Sequence, residues 1–418
     1  MAKKGRPSSK ELDYNLDEED CPSEDEIIKR IYAKYDMLSK TPSLNKGDEE
    51  RVLEELSRRN SGKKEDEKFS MMPREIKSHL DQYIISQEQA KKDISVAVAF
   101  HYNRISNERI EKKNNLLMIG PTGVGKTYML QKIAEIVKVP LVEIDISKFS
   151  KTGYVGMSVD DLLRYVIVKS GKDLEKAKKA IVYIDEIDKI RTQYTSNSGG
   201  RDINGQDVQT ELLKILEGAD IPVTIQEKEK QHIIDVDTRN MLFVCSGAFP
   251  DLEPIIASRI GCTKRIGFGS DTATKPGTES NFDKVSVEDL VKYGFLREFL
   301  GRLPVITTLS PLSKPDLRKI LSEPSGSIVE QYKNEMKPFG IELEFTDDAL
   351  EMISERAYNH KIGARALNTV CESVLKPFKY ELPGSGIRKL VLTKDAVLEP
   401  EKELARILAE HEKRSHHF

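Results

Sequence analysis

From residue 73 onward the chain alternates short, wholly apolar runs with segments whose apolar residues recur every three or four positions. "NNLLMIG", "PLVEIDI", "AIVYIDEID" and "NMLFVCSGAF" read as strands buried on both faces. Between them "KTYMLQKIAEIVK", "SVDDLLRYVIVK" and "QTELLKILEG" carry helical spacing, the last with Leu212, Ile215 and Leu216 on one face. Such alternation predicts an α/β fold: a parallel sheet covered by helices on both faces. Ahead of it, "PREIKSHLDQYIISQEQAKKDISVAVAFHYNRI" keeps helical apolar spacing throughout. After about Leu309 the pattern turns mainly helical, with one short strand, "IRKLVLT". Four regions result: a charged N-terminal extension (1–66), partly helical or disordered; a large α/β domain (67–310); a smaller, mainly helical domain (311–400); and a charged tail (401–418).

Composition narrows the function classes. Net charge is −3 from nearly balanced totals, so no bulk positive field argues for nucleic acid. The longest apolar runs fall far short of a membrane span. The N-terminal basic residues are followed by no apolar stretch, so no secretory signal is expected. The four cysteines, Cys21, Cys245, Cys262 and Cys371, form no CxxC pair, so neither zinc nor a disulfide framework is expected. A cytoplasmic protein with reduced thiols is the expectation.

The chemistry starts at "GPTGVGKT". Gly120, Pro121, Thr122, Gly123, Val124, Gly125, Lys126 and Thr127 satisfy G-x-x-x-x-G-K-[ST] between a strand and a helix, the context a P-loop requires. Its backbone N–H groups would wrap a phosphate chain, with favourable partial charge from the helix N-terminus. Lys126 would reach the β and γ phosphates and Thr127 would hold Mg²⁺. About sixty residues on, an apolar strand delivers Asp185 and Glu186 at its C-terminal end, where open α/β sheets bind ligands. Asp185 would support Mg²⁺ and Glu186 would polarise the attacking water. The expected site is that of an NTPase. Phosphoryl transfer also rewards a cation on the developing γ-phosphate charge. Arg302 in "FLGRLP" and Arg365 in "KIGARALN" are candidates, although on composition alone each is an ordinary surface arginine.

Three loops remain. "KTGYVG" sets Tyr154 and Val155 between Gly153 and Gly156, where no core periodicity calls for a ring. "TSNSGGRDINGQ" is polar and Gly-rich, and holds Arg201. "IGFG" puts Ile266, Gly267 and Phe268 at the tip of a long polar loop, an exposed apolar feature suited to a partner's pocket.

The order of these motifs resembles the ClpX family of AAA+ unfoldases, from about Pro73 to about Leu392. "SHLDQYIISQEQAKK", "GPTGVGKT", "GYVG", "IVYIDEIDKI", "RDINGQDVQTELLKILEG", "SGAF", "IGFG", "GRLPVITTL" and "GARAL" carry the likeness. The resemblance implies an AAA+ P-loop NTPase using ATP and Mg²⁺, with Ile84 and Ile85 packing the adenine. It implies a homo-hexamer in which Arg302 is the arginine finger on ATP of the neighbouring subunit, while Arg365 couples the small domain to the nucleotide. Tyr154 would press on a translocating polypeptide in the central channel, with Arg201 on a second pore loop. Ile266, Gly267 and Phe268 would dock a ClpP-type peptidase. The implied activity is ATP-dependent unfolding of tagged or unfolded proteins and their delivery to that peptidase, without peptidase activity in this chain.

Departures from the family pattern are also visible. The family's N-terminal zinc-binding domain needs four cysteines, and only Cys21 lies in this segment. The family's basic Arg-Lys-His loop is "QEKEKQHII" here, with Lys228, Lys230 and His232, which bears on tag preference. Ser86 replaces a family glycine. HslU-type unfoldases carry a large insertion between the P-loop and the acidic strand, for which about sixty residues leave no room. A zinc-protease reading fails because His411 and His416 in the tail are five apart, off a common helix face. A stand-alone remodeller without a peptidase is the alternative, and "IGFG" argues against it.

Overall fold

The computed structural model describes residues 69–106, 113–148, 158–192, 203–227, 230–260 and 281–415. All belong to one compact unit, Glu67–Phe418. Its centre is a five-stranded parallel sheet of order β2-β3-β6-β1-β7, built from β1 (Leu116–Ile119), β2 (Leu141–Asp145), β3 (Ile181–Asp185), β6 (Leu242–Gly247) and β7 (Val305–Thr308). The apolar runs become these strands because successive side chains leave opposite faces and both faces are covered. Leu116, Met118, Ile181, Tyr183, Leu242 and Val244 join one buried cluster; Leu117, Ile119, Val182, Ile184, Phe243 and Cys245 join the other. Each such side chain contributes about 1.5–3 kcal/mol on leaving water.

The first cluster packs the sheet against helices Pro73–Asp81, Glu88–Ser106 and Lys126–Val137. It then runs on through Leu309, Leu312 and Leu317 into the C-terminal helices Lys314–Ser322, Ile328–Met336, Asp347–Asn359 and Arg365–Glu381. A two-stranded parallel sheet, β8 (Glu342–Phe345) with β9 (Lys389–Leu392), completes that region. The final helix, Pro400–Ser415, seats Leu404 in the same cluster despite its charged composition. The second cluster lies under helices Val159–Lys169, Ile203–Glu217, Leu252–Arg259 and Val287–Tyr293.

Two features differ from the sequence reading. The long helical pattern after Pro73 is two helices broken at 82–87, where Ser86 and Gln87 take φ of 59° and 58°. The break is held from outside: Gln87 exchanges two hydrogen bonds with the backbone of Ser310, at 2.8 and 2.9 Å. Residues 220–237 form an antiparallel hairpin, β4 (Asp220–Glu227) and β5 (Lys230–Asp237), where no strand was expected. Arg164 ties it to the neighbouring helix by donating Nε–H to the Thr224 carbonyl at 2.8 Å.

Candidate active site

β1 is flanked by β6 and β7, so the chain leaves the sheet there at a point where strand order reverses. Ligands bind beyond the carboxyl ends of strands at such points. The P-loop follows β1, and Asp185 and Glu186 follow β3. A cavity of 1190 Å³ opens there, lined by residues 121–127, Asp185, Glu186, Ile84, Ile85 and Arg365.

Lys126 is buried, 9% exposed, and folds back to donate to the carbonyls of Gly120 (2.6 Å) and Pro121 (3.0 Å). Burial pushes its ammonium below the ordinary lysine range, Asp185 and Asp188 pull it back up, and Arg365 adds to the depression. A desolvated cation whose partners are two carbonyls gains much from an incoming phosphate. Glu186 sits in the left-handed region at φ 57°, a conformation that persists in a non-glycine residue only when its surroundings hold it. Its N–H donates to Asp185 Oδ1 at 2.9 Å, which fixes the two acids relative to each other.

A one-way chain of hydroxyls joins the P-loop to Asp185. Thr127 Oγ1 donates to Tyr183 Oη (3.3 Å), Tyr183 and Ser246 Oγ lie 2.7 Å apart, and Ser246 donates to Asp185 Oδ1 (2.5 Å). The carboxylate can only accept, so Ser246 donates onward and Tyr183 donates to Ser246. Burial, then the Asp185 charge, raises the Tyr183 phenol well above its ordinary value, so it stays a donor. Among the described residues no cluster of three or more His, Cys, Asp or Glu could hold a metal. The donor set nonetheless suits Mg²⁺, which takes one or two carboxylates and relies on substrate phosphates and water for the rest.

The C-terminal region closes the other wall. Ala364 N–H donates to the Gly123 carbonyl at 2.8 Å, and a Cβ on Gly123 would lie 2.1 Å from the Ile362 carbonyl oxygen. Only glycine fits there, at φ +78°. This contact seats Arg365 at the first turn of helix Arg365–Glu381, facing the cavity. Ile84 is buried, and its carbonyl accepts from the buried Lys91 Nζ at 3.2 Å, which in turn pairs with Asp81 and Glu88 at 2.6 Å each. Leu312, Ile320 and Ile328 extend the apolar wall.

Comparison with known proteins agrees with this architecture. Residues 111–306 match the family model "AAA domain (Cdc48 subfamily)", and residues 312–386 match "C-terminal, D2-small domain, of ClpB protein". The ATP-dependent Clp protease ATP-binding subunit ClpX of Borrelia duttonii (strain Ly) is 43% identical over 336 residues, 78% of each chain. That of Borrelia recurrentis (strain A1) gives the same figures. The Treponema denticola protein is 39% identical over 338 residues, 78% of this chain and 81% of its own. The chain belongs to the ClpX family.

As a ClpX-family protein it is an AAA+ ATPase that binds ATP. The structure gathers Lys126, Thr127, Asp185, Glu186, Arg365, Ile84 and Ile85 into one cleft. Arg302 is not in that cleft. It lies at the start of β7, and its carbonyl accepts from Asn115 at the start of β1, the opposite end of the sheet from the P-loop. Gly153, Tyr154, Val155, Gly156, Arg201, Ile266, Gly267 and Phe268 fall outside the described residues. Ser86, where the family has glycine, holds its left-handed backbone while its hydroxyl donates to Asp316 of helix Lys314–Ser322. Tyr183 and Ser246 were missed in the sequence. The available signal was a hydroxyl inside each of two otherwise apolar strands, since a buried hydroxyl needs a partner. No described helix is long and apolar enough to cross a membrane.

Proposed function

We propose that this ClpX-family ATPase is the motor subunit of a homo-hexameric ring that unfolds tagged or unfolded proteins, threads them through a central channel and hands them to a ClpP-type peptidase. One observation carries the assembly: the binding and water-activating groups share one cleft, while Arg302 sits at the far end of the strands and outside it, which supports a role on another subunit's nucleotide.

In this reading Lys126 exchanges its two carbonyl partners for the β and γ phosphates. Thr127 and Asp185, held in register by Tyr183 and Ser246, would hold Mg²⁺, which neutralises charge on the phosphate oxygens. Glu186 polarises the attacking water. Arg302 of one subunit stabilises the charge developing on its neighbour's γ-phosphate, an effect of about 10³–10⁵ in rate. Arg365, hydrogen-bonded through its own turn to the P-loop, carries nucleotide state into the C-terminal helices. Tyr154 grips the substrate, Arg201 lines a second pore loop, and the Ile266–Phe268 tip docks the peptidase. Residues 1–66 choose substrates in a cytoplasmic setting.

The test is ATP-dependent degradation of a stably folded reporter by this protein mixed with a ClpP-type peptidase. Loss of degradation is expected on Glu186→Gln, with ATP still bound and the ring intact. Tyr154→Ala should spare ATP hydrolysis and abolish unfolding. Unfolding that proceeds normally while Phe268→Ala changes nothing would favour a remodeller without a peptidase.

A further inference from the structure

Arg302 is held at two points. Its backbone carbonyl accepts from Asn115 Nδ2 at 3.0 Å, and its guanidinium donates to Glu217 Oε1 at 2.6 Å. Asn115 is 1% exposed and fully engaged. Its amide nitrogen also donates to the Leu216 carbonyl at 3.1 Å, and its side-chain oxygen accepts from Phe243 N–H at 3.3 Å. One buried amide therefore fixes the backbone of Arg302 and that of the residue before Glu217 against the starts of β1 and β6. Glu217 closes helix Ile203–Glu217. Gly218 turns the chain at φ +90°, and a Cβ there would press on Arg239 Cα at 3.1 Å. Lys113 caps the same helix end by donating to the carbonyls of Ile215 (3.4 Å) and Thr238 (2.7 Å). The helix end that carries Glu217 is thus rigid.

We propose that Glu217 is a positioning residue for Arg302, with Asn115 setting the backbone from which both side chains project. The proposal rests on Arg302 acting upon a neighbouring subunit's nucleotide. An arginine side chain has many rotamers, and a finger must reach a charge that exists only in the transition state, so orientation before docking matters. Glu217 engages one terminal nitrogen, and among the described residues the guanidinium has no other side-chain partner. Its remaining N–H groups are left for a phosphate. Both side chains are about half exposed, at 50% and 48%, so the pair adds little to stability and its removal should act on orientation alone. The "LEG" ending of the helix, otherwise a plain helix terminus, gains a role in catalysis.

The experiment is a double-mutant cycle on ATP turnover by the assembled protein, comparing Glu217→Ala, Glu217→Gln, Arg302→Ala and the Arg302→Ala/Glu217→Ala pair. Assembly state and thermal unfolding are followed in parallel. Glu217→Ala should lower kcat about tenfold at unchanged KM, unchanged unfolding temperature and unchanged assembly. Glu217→Gln should recover most of the rate, because its amide oxygen still accepts from the guanidinium. The pair should turn over no more slowly than Arg302→Ala alone. Wild-type kcat in Glu217→Ala beside a crippled Arg302→Ala overturns the inference, as does an additive loss in the pair. Loss of assembly in Glu217→Ala also overturns it, because Glu217 would then hold the subunit contact itself. Full kcat in assembled Arg302→Ala sinks the finger assignment and this inference together.

Discussion

The two ends of the central sheet are built to different standards. At the carboxyl ends, Thr127, Tyr183, Ser246, Asp185 and Glu186 are joined by hydrogen bonds of 2.5–3.3 Å, and the buried Lys126 is held by two P-loop carbonyls. At the amino ends, Arg302 stands half in solvent on one ion pair and one backbone anchor. The difference follows from what each end must meet. The first holds a small ligand within one chain, so every partner can be fixed in advance. In the proposed ring the second meets another subunit, so its decisive partner would lie outside the chain and only its aim could be set.

Breaking the comparison at its weakest-looking point should give the largest effect. Arg302→Ala is expected to lower ATP turnover of the assembled protein about 10³-fold or more. ATP affinity of the separated subunit should stay unchanged in an equilibrium binding titration. A parallel fall in affinity would mean that the two ends are not separate. Gly123→Ala should come next. Its Cβ meets the Ile362 carbonyl at 2.1 Å in a left-handed backbone, so the P-loop and the C-terminal turn must part. A loss of about 10–100-fold in ATP affinity is expected, with a lower unfolding temperature, since such strain costs about 1–3 kcal/mol. Unaltered binding would show that the wall contact is dispensable.

A smaller effect sharpens the picture of the buried end. Ser246→Ala removes the link between Tyr183 and Asp185 and leaves both without that partner. An unsatisfied buried group costs about 1–3 kcal/mol, so a loss of roughly tenfold in Mg²⁺-dependent turnover is expected. The smallest effect concerns Lys113 at the amino ends, whose ammonium burial pushes down from 10.5 to about 7. Below about pH 7 both folded and unfolded chains carry its proton, and the penalty of burying that charge is fully present. Between about 7 and 10.5 the unfolded chain holds a proton that the folded one lacks, so stability rises with pH. The unfolding temperature of Lys113→Met relative to the parent protein should therefore be highest below pH 7 and decline toward pH 9. A flat difference would show that Lys113 stays charged in the fold.

Much of this was readable from side-chain order alone. The four apolar runs became β1, β2, β3 and β6, and "IRKLVLT" became β9. β1, β3 and β6 are buried on both faces, while β2 and β9 alternate buried with exposed positions, and short apolar runs between turn signals suit strands in either case. The break at 82–87 was invisible. Tyr83, Ile84 and Ile85 continue the apolar spacing, and the left-handed turn falls on Ser86 and Gln87 with no glycine or proline to mark it. The hairpin was hidden by Pro222 and a run of charges, although Val223 and Ile234 face each other across it. The P-loop and its acids were legible because their chemistry demands a fixed spacing. Tyr183 and Ser246 were not, because they meet only through the pairing of β3 with β6, strands far apart in the chain. Glu217 read as a helix end for the same reason: its partner arrives 85 residues later.

The hydrogen bond from Ala364 to Gly123 makes helix Arg365–Glu381 a lever with its fulcrum on the phosphate loop. Seventeen residues give it an arm of about 25 Å, so a tilt of about 10° moves its far tip by about 4 Å. In the proposed cycle, such a tilt on loss of one phosphate beneath its near end would give a stroke on the scale of a single extended amino acid.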